Sequence, residues 1–440
     1  MKMFSLLLTL VFLLLNCKVI AQSQTIEQGA MVDLINPRSL DHPIYLSFKD
    51  GDYLTSIIEC DKWDSVYRGT NSEDAFMEQE AYYNSFVGNY KKALNNFDKI
   101  NAKWIKQLDT TNFLDRSFLS AKKLDAVNEI IREAQNRQIT IVNEAHHVPQ
   151  HRAFISSLLK PLYESGYRYF ATEMLTDNID TVKKNGYVSF QQNGFYPNEP
   201  VYANLIRKAI EIGYTLVGYE DTVNCDFDPV NPFRCLNQRE QNQAKNIANL
   251  ILKNNSNAKI LIHCGYQHAD EVEHQSPKVK TMAAHLKELS NTDPLTIDQT
   301  VMSEHSLVNF ENSYYRYVQD SLKINSPAIF KTINGYWVDD TKRGFVDMQV
   351  FHPRTNYING RPNWLIKENY ILTLPDFDIS SFPFLVQAFK KSDKTNAIPM
   401  DQFLVDSRKE KIAVAVPKGY YRIRMINSKG TIHEFEVKNP

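Results

Sequence analysis

The sequence predicts an α/β fold: a mainly parallel sheet with flanking helices, preceded by a helical hairpin and followed by a partly β lobe. Between Ala121 and about Thr300, short apolar runs alternate with amphipathic stretches, the rhythm of strands joined by crossover helices. Before that segment the pattern is helical, and after Leu307 aromatic-rich extended stretches replace the alternation. A chain of 440 residues is long enough for two or three domains with sizeable cores. The expected division is an export signal over 1–21, a helical segment over 22–115, an α/β domain over 116–306 and a β-rich region over 307–440.

Composition narrows the function classes. With 43% hydrophobic and 23% charged residues, 15 Gly and 18 Pro, the chain is neither disordered nor fibrous. Fifty Lys+Arg balance 51 Asp+Glu, so no global field attracts a polyanion and no nucleic-acid partner is expected.

The first segment has the layout of a secretory signal. Lys2 is a small positive start, Phe4 to Leu15 is almost wholly apolar, and Val19-Ile20-Ala21 forms a small-residue exit. The apolar run is too short to span a bilayer, which takes about 20 residues, and no transmembrane segment follows. The expected location is periplasmic or extracellular. A lipid anchor at Cys17 fits less well, because Asn16 stands where a small residue normally precedes a lipidated cysteine. Export gives the remaining cysteines an oxidising environment. Cys225 and Cys235 bracket a Pro- and Asp-rich loop and read as a local disulfide.

Tyr53 to Lys103 is helical in rhythm, and Ala81 to Leu94 looks like half of a tetratricopeptide hairpin, the one such unit visible. A solenoid needs about three such units, so a helical hairpin packed on the main domain is expected. Lys122 to Asn136 reads as an amphipathic helix, with Leu124, Val127, Ile130, Ile131 and Ala134 on one stripe. It feeds a strand at Ile139 to Val142. Pro149 to Glu164 is a helix with proline suited to its first turn, and Tyr169 to Thr172 is a strand. Pro200 to Ile212 is a helix ended by Gly213, followed by a strand at Thr215 to Tyr219. Asn237 to Lys253 is a helix, Lys259 to His263 a strand, Lys278 to Leu289 a helix and Leu295 to Asp298 a strand. Extended stretches at Phe345 to Phe351, Tyr370 to Leu374, Ile412 to Val416, Tyr420 to Ile426 and Thr431 to Val437 make the last region an accessory β module.

In parallel sheets the site lies outside the carboxyl ends of the strands. Polar residues cluster there. Six of the 11 histidines, 146, 147, 151, 263, 268 and 274, fall in two windows that each begin at a strand end. Glu144 follows the first strand, Glu173 the second and Glu220-Asp221 the third. Imidazole beside carboxylate is apparatus for taking a proton from water near neutral pH. The same groups are donors for a divalent metal, with Glu144, His146 and His268 as the candidates. His151 and Arg152 read as first-turn helix residues facing water or anions, and Glu220, Asp221 and His274 as solvated loop groups. No Gly-x-Ser-x-Gly elbow, dinucleotide fingerprint or phosphate loop occurs.

The order of these motifs resembles the erythromycin esterase and ChaN-like superfamily over about residues 120–300. It comprises Glu144-Ala145-His146-His147 after one strand, Glu173 ending the next, Arg239-Glu240 with Ala244 and Asn246 on a helix, and Gly265-x-x-His268 after a later strand. Members include macrolide esterases, haem-binding ChaN-type lipoproteins and Tiki-type metalloproteases. The resemblance implies an α/β domain with Glu144, Glu173 and His268 in its site and with Arg239, Glu240 and His263 as binding residues; Arg152 joins them as a first-turn residue placed to bind an anion. The histidine that serves Glu144 is His147 by the esterase spacing, or His146 with His151 by the ChaN spacing. Asn143 stands where the family usually carries glycine.

The expected function is an exported hydrolase in which a His-Glu pair activates water on an ester, lactone or amide of a small-molecule or peptide substrate. Two alternatives accompany it. One is a haem- or iron-binding protein of the ChaN kind; the other is a peptide-binding scaffold built on the helical hairpin.

Overall fold

The computed structural model describes residues 35–440 apart from 50, 105–113, 174, 176–178, 191–193, 227, 368, 376–380 and 408–411. The expected signal over 1–21, with Cys17, lies outside the described residues. Among the described residues no helix is long and apolar enough to cross a membrane.

Four helices open the chain: α1 (Pro43–Lys49), α2 (Tyr53–Tyr67), α3 (Glu73–Phe86) and α4 (Tyr90–Trp104). Asp52 caps α2, its side chain accepting the Thr55 N–H at 2.9 Å. The α3–α4 hairpin turns at Gly88, where φ is +72° and a Cβ would lie 2.8 Å from the Gln402 carbonyl oxygen. Glycine there satisfies both the left-handed turn and the close approach of the C-terminal lobe. Tyr82, Tyr83 and Phe86 on α3 are buried and pack edge-on or tilted against Phe195, while Tyr82 also meets Tyr196. The hairpin therefore packs on the main domain, the arrangement expected from a single tetratricopeptide-like unit.

The first difference from expectation comes at Lys122. Lys122–Asp125 is strand β1, and the helix α5 begins only at Ala126 and ends at Ala134. Asp125 is the reason for the break, because its side chain accepts the Asn128 N–H at 2.9 Å and caps α5. β1 then pairs antiparallel with Ala328–Thr332, named β7 below, a partner some 200 residues away.

The main sheet contains β2 (Ile139–Glu144), β3 (Tyr169–Thr172), β4 (Thr215–Gly218), β5 (Ile260–Gly265), β6 (Leu295–Asp298) and β8 (Met348–Gln349). All adjacent pairs are parallel and the order is β8-β6-β2-β5-β3-β4. α6 (Pro149–Glu164) and α8 (Pro200–Ile212) run over the spans expected of them, and Gly213 ends α8 at φ +108°. They are separated by the short helix α7 (Ile179–Asn185). On the chain after β4 come α9 (Arg234–Ile247) and α10 (Met282–Ser290).

The sheet is buried on both faces, as a parallel sheet requires. Val142, Phe170 and Leu216 share one core with Leu158 of α6 and Ile206 of α8, whereas Ile141, Ala171 and Val217 share the other with Ile247 of α9 and Leu286 of α10. Because β7 and β8 complete these pairings, the α/β unit extends past residue 306, where the sequence placed its boundary.

The C-terminal lobe is antiparallel. α11 (Asn363–Ile366) leads into β9 (Tyr370–Thr373), which pairs with β12 (Ala413–Val416). β10 (Phe384–Lys390), β11 (Asp401–Val405), β13 (Gly419–Asn427) and β14 (Ile432–Asn439) form a four-stranded sheet in the order β11-β10-β13-β14. Val386, Val414, Ile423 and Met425 form its core. The overall architecture is thus mixed α/β, with one six-stranded parallel sheet and several antiparallel ones.

Candidate functional site

Strand β2 reaches Glu144, so this carboxylate is delivered at the carboxyl edge of the sheet beside the end of β5. Asn143 holds that edge together. Its amide donates to the Tyr266 carbonyl at 2.7 Å and to Asp298 at 2.8 Å, and its side-chain oxygen accepts the Gln299 N–H at 2.9 Å. A glycine could make none of these links between β2, β5 and β6.

Glu144 is 1% exposed and held on both oxygens. Arg152 Nε donates to Oε2 and its Nη2 to Oε1, each at 2.7 Å. The same guanidinium donates to Glu199 at 3.0 Å and to the His146 carbonyl at 2.9 Å. Arg152 is fully buried on the first turn of α6, so the expectation of an exposed first-turn residue is corrected: it anchors the carboxylate. Glu199 had no signal of its own in the sequence. It caps α8, accepting the Val201 and Tyr202 N–H groups at 2.8 Å, and it is fully buried against Arg152. Burial opposes the charged form of Glu144, but Arg152 and His263 beside it outweigh burial and hold its carboxyl well below the usual carboxylate range.

Two histidines meet this ionised carboxylate. His146 Nδ1 lies 2.8 Å from Oε1, and His263 Nε2 lies 2.8 Å from Oε2. A carboxylate can only accept, so His146 Nδ1 carries a proton and, in the neutral ring, Nε2 is left as a free base. That nitrogen points at Gly265. A Cβ on Gly265 would stand 2.6 Å from His146 Nε2 and 3.4 Å from Glu173 Oε2, so only glycine lets the His146 ring pack this closely on β5. The His146 ring stacks on Tyr196 at 4.3 Å and meets Tyr266 edge-on at 5.2 Å, with Tyr82 of α3 beyond. Tyr266 itself holds a left-handed φ of +37°, a conformation seldom kept by an aromatic residue away from a functional site.

His147 points elsewhere. Its ring lies flat on Phe97 of α4, 3.5 Å between centroids, and burial pushes it down to about 3. It is neutral and packed under the hairpin. His151 is also buried: Nδ1 accepts the Ala145 N–H at 3.0 Å and Nε2 faces Ser303 at 3.1 Å, so it shapes the loop after β2 and does not face water.

On the other side of Gly265 stands a second cluster. Glu173 Oε2 accepts the Gly265 N–H at 2.7 Å, and Oε1 accepts from Arg239 at 2.5 Å. Arg239 also grips Glu220, at 2.9 and 2.6 Å, which corrects the reading of Glu220 as a solvated group. His268 lies between Glu240, 2.7 Å from Nδ1, and Glu173, 3.3 Å from Nε2. Burial works against a charged imidazole there, but Glu173 and Glu240 outweigh it and push His268 up to about 10, with Arg239 Nη1 also 3.2 Å from Nε2. Burial likewise opposes ionisation of Glu173, and His268 and Arg239 overcome it. Glu240 accepts the Met282 N–H at 2.5 Å, tying α9 to α10.

Asp221 and His274 lie outside both clusters. Asp221 accepts from Asn242 at 3.0 Å, and His274 is buried against Asp270 and Phe345, not solvated as its sequence context implied. The disulfide Cys225–Cys235 closes the loop between β4 and α9, with 5.6 Å between the Cα atoms, one turn before Arg239. The candidate metal set does not fit an ion. Both Glu144 oxygens are covered by Arg152, both His268 nitrogens face carboxylates, and among the described residues no three His, Cys, Asp or Glu side chains gather to hold a metal.

No protein-family model and no curated protein matches the sequence. Among solved structures, the type III effector HopBA1 is 12% identical with a TM-score of 0.26, covering 42% of this chain and 87% of that one. A structure described as bacterial protein toxins is 11% identical with a TM-score of 0.31, covering 58% of this chain and 56% of that one. RRSP, a MARTX toxin effector domain from Vibrio vulnificus, is 14% identical with a TM-score of 0.29, covering 57% and 55%. Likeness of that degree assigns neither a family nor an activity.

Proposed function

We propose that the buried His-Glu cluster at the ends of β2, β3 and β5 is the active centre of an exported hydrolase with the chemistry of the erythromycin esterase and ChaN-like superfamily. Its substrate is an ester, lactone or amide. Glu144, clamped by Arg152, orients His146 through Nδ1. Nε2 takes a proton from water, and the resulting hydroxide attacks the carbonyl carbon. His268, beyond Glu173, is the second titratable group of the centre. Collapse of the tetrahedral intermediate breaks the bond to the leaving oxygen or nitrogen, which receives the proton from His146, and a carboxylate is released.

The observation that carries this reading is the tautomer imposed on His146. A deeply buried, ionised carboxylate at Nδ1 leaves Nε2 basic, in a ring that packs directly on Gly265. The test is Glu144→Gln assayed on a broad panel of esters, lactones and amides. The side-chain amide can present its N–H to His146 and select the wrong tautomer. Hydrolysis is expected to fall by about 100-fold or more, and unchanged hydrolysis would remove the proposal.

A further inference from the structure

A cavity of about 680 Å³ lies between helices α6 and α8 and the C-terminal lobe. Helix α6 separates it from the crevice: Ala153, Phe154 and Ser157 line the cavity, while Arg152 binds Glu144. Its volume is in the range, about 300–1,000 Å³, of sites that take small organic molecules. The lining has two chemistries. Phe154, Val201, Leu205, Trp364, Leu365 and Met400 make an apolar surface. Around it stand Arg207, Lys208, Lys367, Lys390 and Lys418, against only two acids, Asp125 and Glu211.

Internal pairing accounts for part of this charge. Lys390 lies 3.7 Å from Glu211, and Arg207 Nη2 donates to Asp393 at 2.6 Å. Arg207 is 7% exposed, yet its Nε is buried with no hydrogen-bond partner. A buried donor of that kind is unfavourable until an acceptor reaches it. Partial burial holds the Lys367 ammonium below the usual lysine range, with Asp125 only partly offsetting it. An anion entering the cavity would stabilise the Lys367 ammonium, which lines it.

We infer that this cavity binds an amphiphilic monoanion, its apolar body on the Phe154, Leu205 and Trp364 surface and its anionic head among Arg207, Lys367 and Lys418. Such a ligand needs no part of the Glu144 crevice, so the site stands independently of the hydrolytic reading. The probe is 1-anilinonaphthalene-8-sulfonate, titrated into the folded protein and read by its own emission and by energy transfer from tryptophan, since Trp364 lines the cavity. The comparator is N-phenyl-1-naphthylamine, which lacks the sulfonate. One saturable site is expected, with the sulfonate at least tenfold tighter than the uncharged compound.

The Lys367→Glu/Lys418→Glu double variant, at two exposed positions, should weaken the sulfonate tenfold or more and leave the uncharged compound within twofold. Ser157→Trp, which fills the cavity, should abolish binding of both. Absence of saturable binding overturns the inference. So does equal affinity for the two compounds, or binding insensitive to the lysine pair; the lysine variant keeps the test decisive if Ser157→Trp does not fold.

Discussion

Replacing Arg152 by methionine removes four hydrogen bonds: two to Glu144, one to Glu199 and one to the His146 carbonyl. Methionine keeps the apolar stem but lacks the guanidinium head, so the loss combines these ionic bonds with the packing of the head over Tyr202. Breaking one side of a buried ion pair costs about 3–5 kcal/mol, because the remaining charge stays buried without its partner. Here two carboxylates share the loss. Glu199 keeps its two backbone donors, and its carboxyl already lies above the ordinary range through burial, which Arg152 only partly offsets. Without the guanidinium it should take up a proton on folding.

The sign of the pH dependence follows. In the wild type the depressed carboxyl of Glu144 contributes stability above the ordinary carboxylate range, lost only as pH falls through its low folded value. In Arg152→Met a raised carboxyl reverses this, and stability falls as pH rises through the folded value. Each carboxyl that protonates on folding changes the free energy by about 1.4 kcal/mol per pH unit. Urea unfolding of both proteins between pH 5 and pH 8 should therefore show a gap of about 3–5 kcal/mol at pH 8 that narrows markedly at pH 5. A gap below about 1 kcal/mol, the value of an exposed pair, or a gap independent of pH, would refute the buried clamp.

Two further outcomes follow from the same geometry. Gly265→Ala should displace His146, since the added Cβ lands 2.6 Å from its ring; overpacking of this kind costs about 1–3 kcal/mol. Chemical denaturation reads that cost, and hydrolysis should fall with it, whereas an unchanged rate would mean that the ring does not occupy this space. His268, held up to about 10 against an ordinary 6.5, contributes stability that is full below pH 6.5 and lost as pH rises through 10. His268→Gln should thus narrow its stability difference from wild type between pH 7 and pH 10, and equal slopes for the two proteins would contradict a cationic ring.

Local signals were read from the sequence with the most success. Proline in the first turn and glycine past the last set the spans of α6 and α8, and uninterrupted apolar runs marked β2, β3 and β5. What sequence could not supply was partnership across distance. Lys122–Asp125 shares its apolar residue, Leu124, with a helical stripe, and only pairing with Ala328–Thr332 makes it a strand.

The site divides in the same way. Glu144, Glu173, His263 and His268 stand at strand ends, where topology alone directs attention. Arg152, Glu199 and Glu220 read as ordinary helix-start or loop residues, because their roles depend on distant partners: Arg152 is buried against Glu144 and Glu199, and Glu220 is held by Arg239 and Gln243 reaching back from α9. The choice between two adjacent histidines was equally out of reach. In the structure Phe97 on α4 stacks on His147, whose Nδ1 lies 3.4 Å from the Tyr266 hydroxyl, whereas His146 meets Glu144.

That choice is where the account is most exposed. His146→Ala and His147→Ala, purified side by side and assayed for kcat/KM on the hydrolysable member of the substrate panel, test it directly. Loss of a general base costs about 10²–10⁴-fold, so His146→Ala should fall by that factor while His147→Ala, which loses the stacking on Phe97 and the contact with Tyr266, stays within about tenfold of wild type. A large loss in His147→Ala with His146→Ala near wild type would contradict the assignment of His146 as the base.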